Sequence, residues 1–415
     1  MSKRRVVVTG LGTINALAHN VDEFWENLLQ GESGIALVKH FELGEEYNSR
    51  IAGEVRHFAP EEYFEKKRLK KLDRYTKFAL WAAKEAMEDA CLSEGSYDPE
   101  RSGCILCTGI GGMYTYETEC AKHYQVGARR VSPFFIPKMI ANAGAAEVAI
   151  ENNLKGINFN ISSACASANH GIGTAYRSIQ YGDADLIVCG GAEAAVTPLT
   201  FAGFGNMKAL STRNESPETA CRPFDAERDG FILAEGAGVV ILEELEHALS
   251  RGAHIYAELV GYGATCDAYH ITAPAEGGEG GARAMQMAIK DAGMQPEDIE
   301  YINAHGTSTP LNDVNEAKSI KTVFGEYAYK LKINSTKSMV GHTLGAAAGI
   351  EAVVCCKSIQ TGKLHATMNL TNPDPECDLD FIANTAEDFP VRVAMSNSLG
   401  FGGHNGVLIF CRYDR

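Results

Sequence analysis

Cys165 lies in Ser162-Ser-Ala-Cys-Ala-Ser-Ala, where a short apolar run gives way to a helix of small residues stopped by Gly182. A thiol at a helix N-terminus meets unpaired N–H groups and the positive end of the helix dipole, which favour a nucleophilic thiolate. His305, in Asn303-Ala-His-Gly-Thr-Ser-Thr-Pro310, follows a strand candidate and precedes Gly and hydroxyls, a composition suited to an active-site loop. His342 lies in Lys337-Ser-Met-Val-Gly-His-Thr-Leu-Gly345, at a second strand-to-helix turn. Glu351 interrupts the apolar stretch that follows, and a buried carboxylate needs a partner; Lys337, at the entrance of the same helix, is the natural one. A lone histidine is more often simply hydrogen-bonded. One thiol, two imidazoles and a lysine brought together would support covalent catalysis with hydrogen-bond donors for an oxyanion.

An internal repeat supplies the reason to bring them together. Asn158-Phe-Asn-Ile-Ser-Ser-Ala-Cys165 through Gly182 and Lys332-Ile-Asn-Ser-Thr-Lys337 through Gly362 both read as a strand, a Ser-rich turn and a helix ended by Gly. Further echoes pair residues 6–12 with 258–263, 104–111 with 301–307, 185–191 with 380–384, and 236–242 with 403–410. Two similar halves, 1–253 carrying the thiol and 254–415 carrying the two histidines and the lysine, predict a pseudo-two-fold core of two packed sheets with shared helices. Strands are expected at 5–9, 103–107, 185–189, 236–242, 256–260, 299–303, 330–334, 393–396 and 407–410. Helices are expected at 20–29, 73–90, 144–151, 165–181, 281–292, 313–324 and 345–360. Residues 192–235 form an insertion with polar turns.

The remaining features bound the function. The 415 residues are 45% hydrophobic and 22% charged, with no apolar run of 18 or more, so a membrane span is not expected. The start runs from Met1-Ser-Lys directly into a strand without a signal-like core, which reads as cytoplasmic, or as a mature form already trimmed. A net charge of −15 argues against nucleic-acid or anionic-membrane binding and makes Lys66-Lys-Arg-Leu-Lys-Lys-Leu-Asp-Arg74-Tyr-Thr-Lys77, with seven basic residues, stand out. The twelve cysteines sit mostly in apolar runs as small hydrophobes, and the lone CxxC of Cys104 and Cys107 is a weak zinc signal. Ser396-Asn-Ser-Leu-Gly-Phe401-Gly-Gly-His-Asn405 sets an aromatic among glycines, as a movable plug or a packed hairpin turn.

Taken jointly, Ser163-Ala-Cys-Ala-Ser, Gly190-Gly-Ala-Glu193, Arg222-Pro-Phe-Asp-Ala-Glu-Arg-Asp-Gly-Phe, Asn303-Ala-His-Gly-Thr-Ser-Thr, Ser335-Thr-Lys-Ser-Met-Val-Gly-His and Asn397-Ser-Leu-Gly-Phe-Gly-Gly resemble the elongating β-ketoacyl-[acyl carrier protein] synthases of the thiolase-like superfamily, synthase II type, over essentially the whole chain. The resemblance implies an α/β thiolase-like fold with layered α-β-α-β-α architecture. It implies decarboxylative condensation of an acyl group on Cys165 with a malonyl thioester on acyl carrier protein, giving a 3-oxoacyl product and CO₂ in fatty acid elongation. Cys165, His305, His342 and Lys337 would be catalytic. Phe401, Thr307, Thr309, Thr272, Ile110 and Phe204 would meet substrate, with the Phe401 N–H joining that of Cys165 as an oxyanion hole. Lys70, Lys71, Arg129, Arg130 and Lys208 would dock the acidic carrier protein on a homodimer. No cofactor would be required, although a structural Na⁺ or K⁺ near Asn303, Glu351, Ser396 and Asn397 is implied. Ala166 and His404 depart from the pattern, in which Thr, and Thr or Asn, are common. Two other classes stand beside this one. A non-catalytic chain-length factor would lack the cysteine, and a cysteine acyltransferase or hydrolase would not need the second histidine or the Lys–Glu pair.

Overall fold

Alternate residues along the long strands enter different cores. Ile105 and Cys107 face one apolar cluster, as do Ile187, Cys189, Val240 and Leu242; their neighbours Cys104, Leu106, Leu186, Val188, Val239 and Ile241 face another. Both sheet faces are therefore buried, which is why these strands read as unbroken apolar runs. The same alternation separates Cys104 from Cys107 onto opposite faces, so the CxxC is no metal clip.

The computed structural model describes residues 3–414. The first half contributes β1 (Val6–Ile14), β2 (Ser102–Cys107), β3 (Asn158–Phe159), β4 (Leu186–Glu193) and β5 (Gly236–Glu244). The second contributes β6 (Ala257–Cys266), β7 (Tyr301–Asn303), β8 (Lys332–Asn334), β9 (Val393–Gly400) and β10 (His404–Cys411). Their order across the sheet is β8-β7-β9-β10-β6-β1-β5-β4-β2-β3, so each strand of one half has its counterpart five strands later in the other. The halves meet where β1 runs antiparallel to β6, with Val6 opposite Leu259 and Val8 opposite Ala257. The two expected sheets are thus hydrogen-bonded into one.

Helices complete the layers. One outer layer holds α1 (Arg74–Asp89) and α2 (Ala143–Glu151), whose Phe78, Ala82, Ala86 and Val148 share a cluster with the first half-sheet. Three more helices are α3 (Ser167–Tyr181), α4 (Glu279–Ala292) and α5 (Pro310–Phe324), followed by α6 (Ala347–Thr361). Met285, Ala288, Ile320 and Phe324 of α4 and α5 cover the second half-sheet. Between the half-sheets lie α3 and α6, whose Ile172, Tyr176, Val353 and Cys356 share a central cluster with strands of both halves. The α-β-α-β-α order follows. Small residues on α6 are a packing requirement: a Cβ on Gly349 would lie 2.2 Å from the Gly238 carbonyl of β5.

Three expectations need correction. Residues 380–384 contain no strand; the counterpart of β4 is β9, Val393–Gly400, and 380–384 lie in the connection before it. The helix expected from Cys165 starts at Ser167, leaving the thiol on the turn before it. The insertion is more than polar turns: it contains the helix Pro198–Asn206 and sends Phe201, Phe231 and Leu233 into the cluster that also holds Cys165. The helix Met113–Val126 was not anticipated, because Tyr114, Tyr116, Tyr124 and Val126 are exposed and leave no amphipathic period to read.

Candidate active site

Equivalent turns deliver the reactive groups. Cys165 follows β3 and precedes α3; His342 follows β8 and precedes α6; His305 leaves the C-terminal end of β7. His342 Nε2 lies 3.0 Å from Cys165 Sγ, and the His305 and His342 rings meet edge-on at 5.3 Å. One donor atom from each of the three side chains lies within 4.8 Å of the others. The turn is held in an uncommon conformation, with Ala164 at φ +50° immediately before the thiol.

The expected low thiol pKa is not what these surroundings produce. Burial pushes the Cys165 thiol up to about 11, and the Lys337 charge and the amides of Phe401 and Cys165 offset this only in part. Burial, reinforced by Lys337, also holds both imidazoles well below the ordinary histidine range, so they are neutral at pH 7. The Nδ1 atoms of both are buried without a partner. Lys337 Nζ donates to Glu351 Oε1 at 2.5 Å, and both side chains are buried.

A cavity of about 480 Å³ opens onto the thiol and both imidazoles. Phe401, Thr307, Thr309, Thr272, Ile110, Phe204 and Lys208 all line it. Thr307 and Thr309 share a 2.9 Å hydroxyl contact, and the Phe401 ring lies 6.5 Å from that of Phe204. Gly400 brings the aromatic loop against the nucleophile turn: a Cβ there would lie 3.1 Å from the Cys165 amide nitrogen. Gly402 and Gly403 take left-handed φ of +84° and +73°, conformations that the tight turn from β9 to β10 beside Phe401 requires.

The basic residues separate into two groups. Arg68 pairs with Glu147 and Glu151, and Arg74 with Glu235, so these two serve the fold, while Lys77 is half-buried. Lys66, Lys67, Lys70 and Lys71 are exposed, as are Arg129, Arg130 and Lys208. Lys71 Nζ lies 5.3 Å from the ring of Phe134, which follows Arg130 closely in the chain. Of these residues only Lys208 lines the cavity.

Some supporting residues escaped the sequence reading. Glu316 on α5 accepts from the amides of His305 and Gly306, both at 2.8 Å, and burial pushes its carboxyl up to about 7. Asp313, one turn earlier, accepts from the Thr307 amide at 3.1 Å. Two acids three apart on a helix look like a solvated face, so their sequence gave no signal. Glu193, buried at the end of β4, accepts from Thr108 Oγ1 at 2.7 Å and from the amides of Gly109 and Gly345 at 2.7 and 3.1 Å. It appears in the Gly190-Gly-Ala-Glu motif, but spacing alone assigns it no role. His170 Nε2 lies 3.2 Å from the Asn405 carbonyl and so donates to it. That leaves Nδ1 to accept from the Ser163 hydroxyl at 2.6 Å. This histidine ties the nucleophile turn to the end of the aromatic loop.

Family models bear directly on this arrangement. The model described as Beta-ketoacyl synthase, N-terminal domain, matches residues 3–248, and its C-terminal companion matches residues 256–371. The chain belongs to the β-ketoacyl synthase family. Among curated relatives of this synthase, a 3-oxoacyl-[acyl-carrier-protein] synthase 2 of Staphylococcus aureus is 49% identical over 411 residues, covering 99% of both chains. One of the same description from Synechocystis is 47% identical over 414 residues, covering 100% of this chain and 99% of the relative. A solved structure of a type II PKS acyl-carrier protein in complex with its ketosynthase superposes with a TM-score of 0.92 at 39% identity, covering 99% of this chain and 100% of that one. A β-ketoacyl synthase from Burkholderia phymatum gives 0.92 at 36% identity, with the same coverage. This synthase therefore has the thiolase-like fold, and among the described residues no helix is long and apolar enough to cross a membrane.

Proposed function

We propose that the chain elongates acyl groups by decarboxylative condensation with malonyl-[acyl carrier protein], as the elongating, synthase II type of the family. The observation that carries this reading is the meeting of one thiol with two buried, neutral imidazoles in a single cavity. A simple acyl transfer uses one base; the second imidazole is accounted for by an enolate that needs two donors.

Because the thiol is held high, the nucleophile forms as the acyl thioester arrives. Cys165 passes its proton along the 3.0 Å contact to His342 Nε2 while sulfur attacks the carbonyl. The amides of Cys165 and Phe401 receive the oxyanion. Collapse expels the carrier's pantetheine thiolate, which takes the proton back from His342. His342 is then neutral again, the state in which its buried site holds it. Malonyl thioester enters, loses CO₂ and becomes an enolate, whose oxygen accepts hydrogen bonds from His305 and from His342 once the His342 ring proton has moved from Nδ1 to Nε2. The carbanion attacks the acyl-Cys165 carbonyl, forming the carbon–carbon bond, and the departing thiolate takes a proton from water. Lys337 and Glu351 set the field around this chemistry. Thr272, Thr307 and Thr309 would hold the pantetheine arm, while Ile110 and Phe204 would bound the acyl chain.

Buried oxygens of Asn303, Glu351, Ser396 and Asn397 have no hydrogen-bond partner, and Ser396 lies opposite Asn303 in the strand register. This donor set fits a monovalent cation, Na⁺ or K⁺, which would satisfy these atoms and supply fixed positive charge beside Glu351.

Lys70, Lys71, Arg129, Arg130 and Lys208 would form the positive docking surface for the acidic carrier. A second copy of the chain would cover β3, whose two exposed residues end the sheet, together with exposed Tyr114, Tyr116, Phe134 and Ile136. Twelve free thiols suit the reducing cytoplasm. The test is reconstitution with acyl- and malonyl-carrier protein. One CO₂ released per 3-oxoacyl product supports the reading; acyl transfer or hydrolysis without CO₂ refutes it.

A further inference from the structure

We propose that the Cys165–His305–His342 cluster is also a reversible binding site for a borderline-soft divalent cation of the Zn²⁺ class, and that an ion held there blocks the thiol. This rests on geometry and leaves the condensation reading untouched if it fails. Cys165 Sγ and one nitrogen of each imidazole already lie within 4.8 Å of one another. A tetrahedral zinc site has Zn–S of about 2.3 Å and Zn–N of about 2.0–2.1 Å, which places its donors roughly 3.3–3.6 Å apart. The 3.0 Å contact between Sγ and His342 Nε2 must open by about half an ångström, and no other pair need close by more than about 1.5 Å. Side-chain rotation covers such distances.

Three further features define the kind of site. The cavity of about 480 Å³ reaches the cluster, giving an entry path and room for water as the fourth ligand. Thiolate and imidazole together select zinc-class ions, whereas Mg²⁺ and Ca²⁺ prefer oxygen. Yet neither imidazole Nδ1 has a hydrogen-bond partner, although resident zinc sites anchor that second nitrogen on a carboxylate or carbonyl. Lys337 also opposes a cation, though its charge is matched by Glu351. The site therefore suits a reversible inhibitor and not a permanent metal. Binding replaces the thiol proton, which passes to buffer, and no oxidation state changes.

The experiment follows Cys165 itself, since Cys91 and Cys266 are exposed thiols that would label as well. Chelator-treated protein is labelled with iodoacetamide with and without Zn²⁺, and the Cys165 peptide is quantified by mass spectrometry. Zn²⁺ should slow its labelling about tenfold or more, Mg²⁺ should not, and chelator should restore it. Co²⁺ should give tetrahedral absorption with a thiolate charge-transfer band, lost in Cys165→Ala and weakened in His342→Ala. Unchanged Cys165 labelling with Zn²⁺, or a Co²⁺ spectrum identical in Cys165→Ala, would overturn the proposal.

Discussion

Replacing Lys337 with Met probes two consequences of one buried charge. Among the described residues, Lys337 is the only side chain bonded to Glu351, which is 1% exposed and whose Oε2 has no partner. Leaving that carboxylate without its cation costs about 3–5 kcal/mol. Glu351 can escape part of the cost by taking a proton, and burial already pushes its carboxyl up. A carboxyl whose folded pKa lies above its unfolded value does least harm below the unfolded value and destabilises progressively as pH rises through the folded one. The loss in Lys337→Met should therefore be greater at pH 8 than at pH 6. The double variant Lys337→Met with Glu351→Leu should recover most of the stability at both pH values, while activity stays low. Urea unfolding measures this. The same substitution removes a positive charge that pulls the Cys165 thiol down, so the midpoint of iodoacetamide labelling should move above that of the unsubstituted protein. A loss below about 1 kcal/mol, or a double variant no more stable than the single one, would refute the argument for a buried pair. A labelling midpoint that moved down would refute the electrostatic role.

Three further outcomes are expected. His305→Ala should slow malonyl decarboxylation about 100- to 1,000-fold while leaving acylation of Cys165 largely intact, whereas His342→Ala should slow both, as separate carrier-thiol and CO₂ release assays would show. Ile110→Phe should shorten the longest acyl group accepted, and an unchanged product profile would remove Ile110 from the chain pocket. Despite burial, which raises it, Glu243 is held down at about 2 by Arg251, His247 and Thr9. A depressed carboxylate gives its stabilisation above the unfolded pKa and loses it as pH falls toward the folded one, so Arg251→Ala, which removes one of these three partners, should cost part of the roughly 3 kcal/mol that the whole shift represents near pH 6 and progressively less below about pH 4.5 in unfolding titrations.

The repeat made much of this legible. Similar strand–turn–helix segments had to occupy equivalent positions, and that symmetry placed Cys165 and His342 at matching turns. The apolar runs located the long strands because both sheet faces are covered. What stayed hidden depended on contacts distant in the chain. The pairing of β1 with β6 merges the sheets through backbone bonds that no side-chain pattern announces. Residues 380–384 imitated a strand because Phe381 packs from a connection into the second-half cluster and Ile382 into the central one. The direction of the thiol shift is hidden from the sequence because a helix end suggests stabilised anions, whereas the depth of burial, the larger effect here, is set by the cavity walls. Glu316 and His170 act on turns brought to them only by folding.

The most direct test of the central claim is intact and peptide mass spectrometry of the protein after one turnover. Incubation with acyl-carrier protein alone should add one acyl group, located on Cys165. Addition of malonyl-carrier protein should then remove it, with the same acyl group recovered in a 3-oxoacyl product. An acyl group on another residue, or one released as free acid without condensation, would contradict the account.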